Sequence, residues 1–372
     1  MVNVFAYNVS VRWWQRRALL LMLVALVGLL TVLQTLTAPQ LPHKPKQIMF
    51  SRERPSHLRP NIILWTMMRS GSSLTEEMLS SLPCSFVTEE PLREYKNFND
   101  TFARDFLRDI LHCRFSKYPY YFERWMFGNQ LNDLKMKLLC YQYASMCYDA
   151  TWTESMCKGA CMMILRVVAG QLKLTTSLLQ DSTLRNYVVH LVRDPRALLA
   201  SRYSLEKHTE MLLENATFFT HQEKNPADVC RRYRQDLSSA RFLHRHYPHR
   251  YTLIRYEDVA LDPSRYVRSI YNFTELPYTK VVAHNVATLT LGMYDDTFQS
   301  HPYSTNKNST EVVYRWRTSL PYSEMEKIQA ECHDVLQAYG YPVFASKTEY
   351  ESQLTKILPL KAVTWQVNTT DT

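Results

Sequence analysis

The stretch Ile62-Ile63-Leu64-Trp65-Thr66-Met67-Met68-Arg69-Ser70-Gly71-Ser72-Ser73 decides how this chain is read. An apolar run of this length, bounded by a turn, reads as a buried strand. The turn holds an arginine, a glycine and three serines, and a helical pattern follows it. A helix N-terminus offers unpaired N–H groups and a positive dipole end, so this turn is suited to an anion. Gly71, one of only seven glycines, sits where a tight turn or a close phosphate approach favours a residue without Cβ. Ser73 stands three residues before Glu76, the spacing of a capping box. An ordinary capped helix accounts for these residues equally well. A Walker A loop is excluded, because the second glycine and the Gly-Lys-Ser/Thr ending are absent.

The same design recurs at Tyr187-Val188-Val189-His190-Leu191-Val192-Arg193-Asp194-Pro195-Arg196. Asp194 suits a cap, Pro195 the first helical position, and Arg193 comes just before them. Ser201 follows about two turns into that helix. Arg193 and Ser201 can share one phosphate only if the loop curls back. The alternative is a surface helix with Arg196 and Arg202 solvated. Taken together, the two turns could hold a ligand with two separated phosphates.

Apolar runs at Ile62–Thr66, Tyr187–Val192 and Tyr251–Ile254 alternate with helical patterns over Ser73–Leu82, Arg196–Leu205, Asp228–His246 and Ser323–Tyr339. This alternation predicts an α/β fold with a central, mainly parallel sheet flanked by helices and ligands at the strand C-terminal ends. There is no internal repeat.

The formal charge of +9 falls to about +6 once Arg12, Arg16 and Arg17 are set aside, which favours anionic ligands without requiring nucleic acid. No RNA-recognition signature or zinc-finger spacing is present, so nucleic acid is not an expected partner. Residues 18–36 are nearly all apolar and match the thickness of a bilayer. The arginines before them orient the chain with its N-terminus cytosolic. The rival, a cleaved signal peptide, fits less well: the run is long and lacks a clear cleavage site. The expected organisation is a cytosolic tail (1–17), a transmembrane signal-anchor (18–36) and a proline-rich stem (37–60). A lumenal domain (61–345) and a C-terminal tail (346–372) complete it.

Sequons at Asn99, Asn215, Asn272, Asn308 and Asn368 lie beyond the anchor and agree with that orientation; the one at Asn8 would face the cytosol. Eight cysteines also follow the anchor. An even count in an oxidising lumen suggests disulfides without fixing their connectivity. No C-x-x-C pair is present, which argues against zinc.

Together and in order, six segments resemble the Golgi carbohydrate sulfotransferases, in particular the membrane-bound branch that sulfates the 6-hydroxyl of galactose, N-acetylgalactosamine or N-acetylglucosamine. The segments are Arg69-Ser70-Gly71-Ser72-Ser73, Glu90-Pro91-Leu92, Leu191-Val192-Arg193-Asp194-Pro195-Arg196, Ser201-Arg202, Arg255-Tyr256-Glu257-Asp258 and Arg315-Trp316-Arg317. The resemblance implies a P-loop-like sulfotransferase fold using 3′-phosphoadenosine 5′-phosphosulfate (PAPS) as co-substrate. It gives Arg69 and the Ser70, Gly71, Ser72, Ser73 backbone to the 5′-phosphosulfate, and Arg193 and Ser201 to the 3′-phosphate. Tyr256 lies near the adenine by the same resemblance, or else packs in the core. Arg315, Trp316 and Arg317 close over the nucleotide. The implied partners are a glycan acceptor and the Golgi membrane, with a homodimer left open. The chain departs from the pattern at Arg93-Glu94-Tyr95, where relatives often carry an aromatic–histidine pair, and over 97–158.

Sulfuryl transfer moves a charged group between two oxygens, so catalysis comes from in-line positioning and neutralised leaving-group charge, with no metal required. Arg69 and Glu90 are the expected catalytic residues. Glu90 takes the proton of the sugar hydroxyl, a role that calls for a pKa raised by burial. Glu89 is the adjacent alternative, and a structural salt bridge accounts for either carboxylate equally simply. The rival functions are a lumenal P-loop-like kinase and a catalytically inactive glycan-binding relative.

Overall fold

Among the described residues five strands, all parallel, run β1 (Pro60–Trp65), β2 (Ser85–Glu89), β3 (Met162–Val167), β4 (Arg185–Val192) and β5 (Tyr251–Arg255), in the spatial order β2-β3-β1-β4-β5. In the computed structural model residues 58–352 are described, apart from 94, 96, 128–133, 213–216 and 292–307. The expected parallel α/β sheet is therefore present. The apolar run 18–36 lies outside the described residues, as do the sequons at Asn215 and Asn368. Among the described residues no helix is long and apolar enough to cross a membrane.

Every residue of β1 and β3 is buried, as expected of strands covered on both faces. Side chains alternate between two cores. Ile63, Trp65, Met163, Leu165 and Val188 face one; Ile62, Leu64, Ile164, Val189 and Ile254 face the other. The helices that position the site are α1 (Ser72–Leu79), α2 (Pro119–Phe127), α3 (Pro195–Leu212), α4 (Pro226–His246), α5 (Tyr256–Leu261), α6 (Trp316–Ser319), α7 (Tyr322–Glu331), α8 (His333–Tyr339) and α9 (Lys347–Glu351). Leu74 and Met78 of α1 cover the second face, and Trp125 of α2 the first. A third apolar cluster joins α3 to α4, α7 and α8 through Leu198, Tyr233, Met325 and Leu336.

Two strands escaped the sequence reading, β2 and β3. Ser85-Phe86-Val87-Thr88-Glu89 is short and half polar, and Met162-Met163-Ile164-Leu165-Arg166-Val167 opens on methionines, which carry no strand preference. The helix expected over Ser323–Tyr339 is two, α7 and α8. They part at Cys332, where the backbone turns to φ −102°, ψ 15° and the side chain is bonded to Cys230. All eight cysteines pair: Cys84–Cys161, Cys113–Cys157, Cys140–Cys147 and Cys230–Cys332. The first bond sits where Ser85 and Met162 begin neighbouring strands in register.

Candidate active site

In the order β2-β3-β1-β4-β5 the chain changes direction between β1 and β4, the switch point where open α/β sheets bind ligands beyond their C-terminal ends. β1 and β4 pair with Trp65 opposite His190, and Thr66 Oγ1 donates to the Leu191 carbonyl at 2.8 Å. The two arginine turns therefore emerge side by side.

The first turn is built from backbone that L-residues avoid. Arg69 has φ +74° and Gly71 φ +84°. A left-handed non-glycine residue costs about 1–3 kcal/mol and persists only where its surroundings impose it. Here they do: Arg193 Nη1 donates to the Arg69 carbonyl at 2.8 Å, and Arg69 Nε donates to Ser201 Oγ at 3.0 Å. Arg202 Nε and Nη2 donate to the Met68 carbonyl at 3.2 and 3.0 Å. The loop does curl back, and Arg69, Arg193 and Ser201 form one cluster.

Gly71 is required by contact as well as by φ, since a Cβ there would lie 2.1 Å from Tyr256 Cδ2. The guanidinium carbon of Arg193 lies 4.7 Å from the centroid of the same tyrosine ring, so Tyr256 joins the two turns and also packs in the second core. Among the described residues, two buried polar atoms here have no hydrogen-bond partner, Ser70 Oγ and Arg193 Nε. Orphaned buried donors beside first-turn N–H groups and three arginines fit an oxyanion ligand.

The capping box is a correction. Gly71, not Ser73, is the N-cap of α1, without a side-chain bond, and Ser73 is the second helical residue. Both of its members answer instead to Arg166, at the end of β3. Arg166 Nε pairs with Glu76 Oε2 at 2.7 Å, and Nη1 donates to Ser73 Oγ at 3.0 Å, with Ser72 Oγ at 3.5 Å. The same guanidinium lies 3.3 Å from Glu90 Oε1 and 3.9 Å from Glu89 Oε1. This buried cation, held charged by three carboxylates, is the functional residue the sequence reading missed. An arginine inside an otherwise apolar run was the available signal.

Glu90 leaves β2 with φ +48° and pairs with Arg93 Nη1 at 2.8 Å. Burial pushes its carboxyl up, but the charges of Arg166 and Arg93, an Arg93 hydrogen bond and Arg69 outweigh it, and its pKa falls below the ordinary value. The raised pKa expected of Glu90 is thus corrected: burial is present, and three arginines override it. Glu89 is wholly enclosed. Its Oε2 accepts from Trp125 Nε1 at 2.9 Å, and its carbonyl from Tyr121 OH at 3.0 Å. Glu90 has a side chain 12% exposed against 0% for Glu89.

The C-terminal triplet divides. Arg315 is exposed, and its charge reaches Tyr256. Trp316 and Arg317 are buried and turned toward the following chain. Arg196 lies over the Trp316 ring, while Arg317 donates to the Tyr350 carbonyl and lies over the Phe344 ring. Those two therefore meet the second turn through Arg196 rather than through Arg193. Asp194 accepts from Arg196 N at 2.9 Å and pairs with its guanidinium at 2.7 Å, so it does cap α3, and Arg196 is buried rather than solvated.

Behind the second turn, Glu257 accepts from Asp194 N and from Tyr341 OH, each at 3.0 Å. Burial and the neighbouring Asp194 raise its pKa to about 7. A separate concavity at the N-terminal edge of the sheet is lined by Arg59, Asn61, His112, Lys158 and Arg185, far from these groups.

A family model described as "Sulfotransferase family" matches residues 60–280. Human carbohydrate sulfotransferase 6 is 26% identical over 359 residues, covering 84% of this chain and 89% of that protein. Mouse carbohydrate sulfotransferase 1 is 32% identical over 182 residues, 47% of this chain and 44% of that protein. Among solved structures, the sulfotransferase domain of the Synechococcus PCC 7002 olefin synthase aligns with a TM-score of 0.42 at 16% identity, over 78% of this chain and 99% of that one.

Proposed function

The chain belongs to the sulfotransferase family, and we propose that it transfers a sulfuryl group from PAPS to the 6-hydroxyl of a sugar in a glycoprotein or proteoglycan glycan. The sugar is galactose, N-acetylgalactosamine or N-acetylglucosamine. The observation that carries this reading is the convergence on Arg69, whose carbonyl takes Arg193 and whose Nε reaches Ser201. The similarity to carbohydrate sulfotransferases over most of the chain supports the acceptor class. The site works in the Golgi lumen, with 18–36 as a type II anchor.

When bound, PAPS supplies the sulfuryl group and a phosphate that departs with the bonding electrons. Arg69 and the N-terminus of α1 hold that phosphate and neutralise the charge it gains. Ser70 Oγ offers a buried donor beside them. Arg193 and Ser201 hold the 3′-phosphate, Tyr256 flanks the adenine, and Arg315 approaches from the C-terminal side. Arg166 fixes the hydroxyls of Ser72 and Ser73 and the carboxylate of Glu90 in one frame.

Glu90 accepts the proton of the attacking hydroxyl. It is the one of the two carboxylates at the end of β2 with an exposed edge, and its lowered pKa keeps it ionised at lumenal pH. A weak base suffices where the transition state is loose and charge gathers on the leaving group.

The test uses the full-length chain in detergent with radiolabelled PAPS and keratan, chondroitin and N-acetylglucosamine-terminated acceptors. Label on a sugar 6-oxygen is the expected result. Nucleotide binding without transfer to any acceptor would favour an inactive glycan-binding relative. Competition by ATP but not by 3′-phosphoadenosine 5′-phosphate (PAP) would favour a kinase.

A further inference from the structure

Beside the proposed base, a turn that follows α3 in the chain carries two phenylalanines and is bonded back to that helix. Glu206, buried on α3, accepts from Phe218 N at 3.0 Å and Phe219 N at 3.1 Å, while its other oxygen takes Lys224 Nζ at 2.6 Å. A carboxylate is removed from water here, which is costly unless it is paired and hydrogen-bonded, and all of its bonds go to fixing this turn.

The two rings are placed unequally. Phe219 is buried, with the Arg202 guanidinium carbon 5.6 Å from its centroid. Phe218 is only partly buried, meets Phe219 edge-on at 4.9 Å, and has the Arg93 guanidinium carbon 5.0 Å from its centroid. Phe219 thus anchors the turn and Phe218 is the ring it presents. Each arginine also reaches the reaction centre: Arg93 donates to Glu90 Oε2, and Arg202 holds the Met68 carbonyl beside Arg69. A partly exposed aromatic ring is therefore fixed one side chain away from the carboxylate that would take the acceptor's proton.

Sugars bind proteins through two kinds of surface, hydroxyls that pair with fixed charged donors and C–H faces that rest on aromatic rings. Arg93 and Phe218 offer both within one contact. We propose that the Arg93–Phe218 pair is the acceptor subsite, against which the sugar ring lies while its hydroxyl meets Glu90. Phe218 is then a specificity-determining residue that governs acceptor binding and leaves nucleotide binding alone. The inference rests on the sulfotransferase reading given above.

The test compares Phe218→Ala, Phe218→Leu and Phe218→Tyr in the full-length chain, using whichever of the three acceptor classes the wild type sulfates best. Loss of the ring should raise the acceptor KM about tenfold, the scale of one lost aromatic contact. PAP affinity should stay within about twofold and Tm within about 3 °C. The leucine variant should resemble alanine, because it fills space without a flat face, and the tyrosine variant should restore KM. An unchanged acceptor KM in Phe218→Ala, or a leucine variant as good as wild type, would overturn the subsite. A parallel loss of PAP affinity would overturn it too, by making the turn part of the nucleotide site. A wild type that binds PAP yet sulfates nothing refutes the sulfotransferase reading, and the subsite falls with it.

Discussion

Arg193 Nη1 donates to the carbonyl oxygen of Arg69 at 2.8 Å, so a side chain at the end of β4 fixes the backbone at the end of β1. The bond holds Arg69 at φ +74°, which in turn aims its Nε at Ser201. On the proposed function Arg193 would act twice, as a cation toward the ligand and as a clamp on the other turn. Arg193→Ala should weaken PAP binding about 100-fold, the scale of a lost charge-assisted contact, and should lower kcat as well because Arg69 is released. Arg193→Lys keeps the charge and loses the fork, so it should recover part of the affinity and little of kcat. Calorimetry with PAP and steady-state kinetics separate the two roles. An unchanged kcat in the lysine variant would refute the clamp.

Arg166 is the centre of the second network, with Glu76, Glu89 and Glu90 around one buried guanidinium. Arg166→Met removes the buried cation that three carboxylates share, which costs about 3–5 kcal/mol. Chemical denaturation should show that loss, with an unchanged m-value if the native fold persists. Arg166→Lys should lose less stability but still most activity, since an ammonium cannot hold Ser73 and three glutamates in one plane. A methionine variant as stable as wild type would show that the cluster is already protonated.

Gly71→Ala faces two independent penalties, the left-handed φ of +84° and a Cβ placed 2.1 Å from the Tyr256 ring. Either Tyr256 leaves its place under Arg193 or the turn opens. Stability should fall by about 1–3 kcal/mol and PAP affinity by at least about tenfold. Adding Tyr256→Ala removes the clash but not the φ penalty, so the double variant should regain part of the lost stability. If the two substitutions destabilise additively, the contact between Gly71 and Tyr256 is not the cause.

What could be read from the chain, and what could not, follows from how local each feature is. The turns after β1 and β4 announce themselves because strand, arginine, small residues and helix are contiguous, and Asp194 and Pro195 occupy the places their chemistry predicts. Arg166 was invisible for the opposite reason. Its partners lie 76 to 94 positions away on α1 and at the end of β2, brought together only by the order β2-β3-β1. The capping box at Ser73 and Glu76 failed because a buried cation competes for both side chains more strongly than a backbone N–H does. Trp316 and Arg317 also pack against Phe344 and Tyr350, after α8 and on α9, contacts that local sequence gave no sign of.

Two carboxyls near the site should give opposite pH signatures. Glu90 has its pKa lowered by its arginines against the effect of burial. Its pairing stabilises the fold above the ordinary carboxylate pKa, and that contribution is lost as pH falls through the lowered value. Transfer should therefore hold its rate from about pH 7 down to about 5.5 as far as Glu90 is concerned. Glu90→Gln should abolish transfer at every pH while PAP still binds. A glutamine variant retaining more than about a tenth of kcat would remove Glu90 as the base.

Glu257 runs the other way. Burial first, then the charge of Asp194, raise its pKa from 4.5 to about 7, against the Asp194 N–H and Arg193. Tyr341 donates to one of its oxygens, and the Glu257 charge in turn raises the pKa of the neighbouring Tyr233 and Tyr314 phenols. Below pH 4.5 the group is protonated whether folded or not and contributes nothing to pH dependence. Between 4.5 and about 7 the unfolded chain ionises while the folded one keeps its proton, so stability declines as pH rises. Above about 7 both are charged, and the full penalty, on the order of 3 kcal/mol, has accrued. A glutamine in its place would keep an acceptor for Asp194 N and a partner for Tyr341 without ever ionising. The Tm of Glu257→Gln minus that of wild type should therefore climb between pH 4.5 and about 7 and level off beyond. A difference that stays flat across that window would mean that Glu257 is already charged in the folded protein, held so by Arg193.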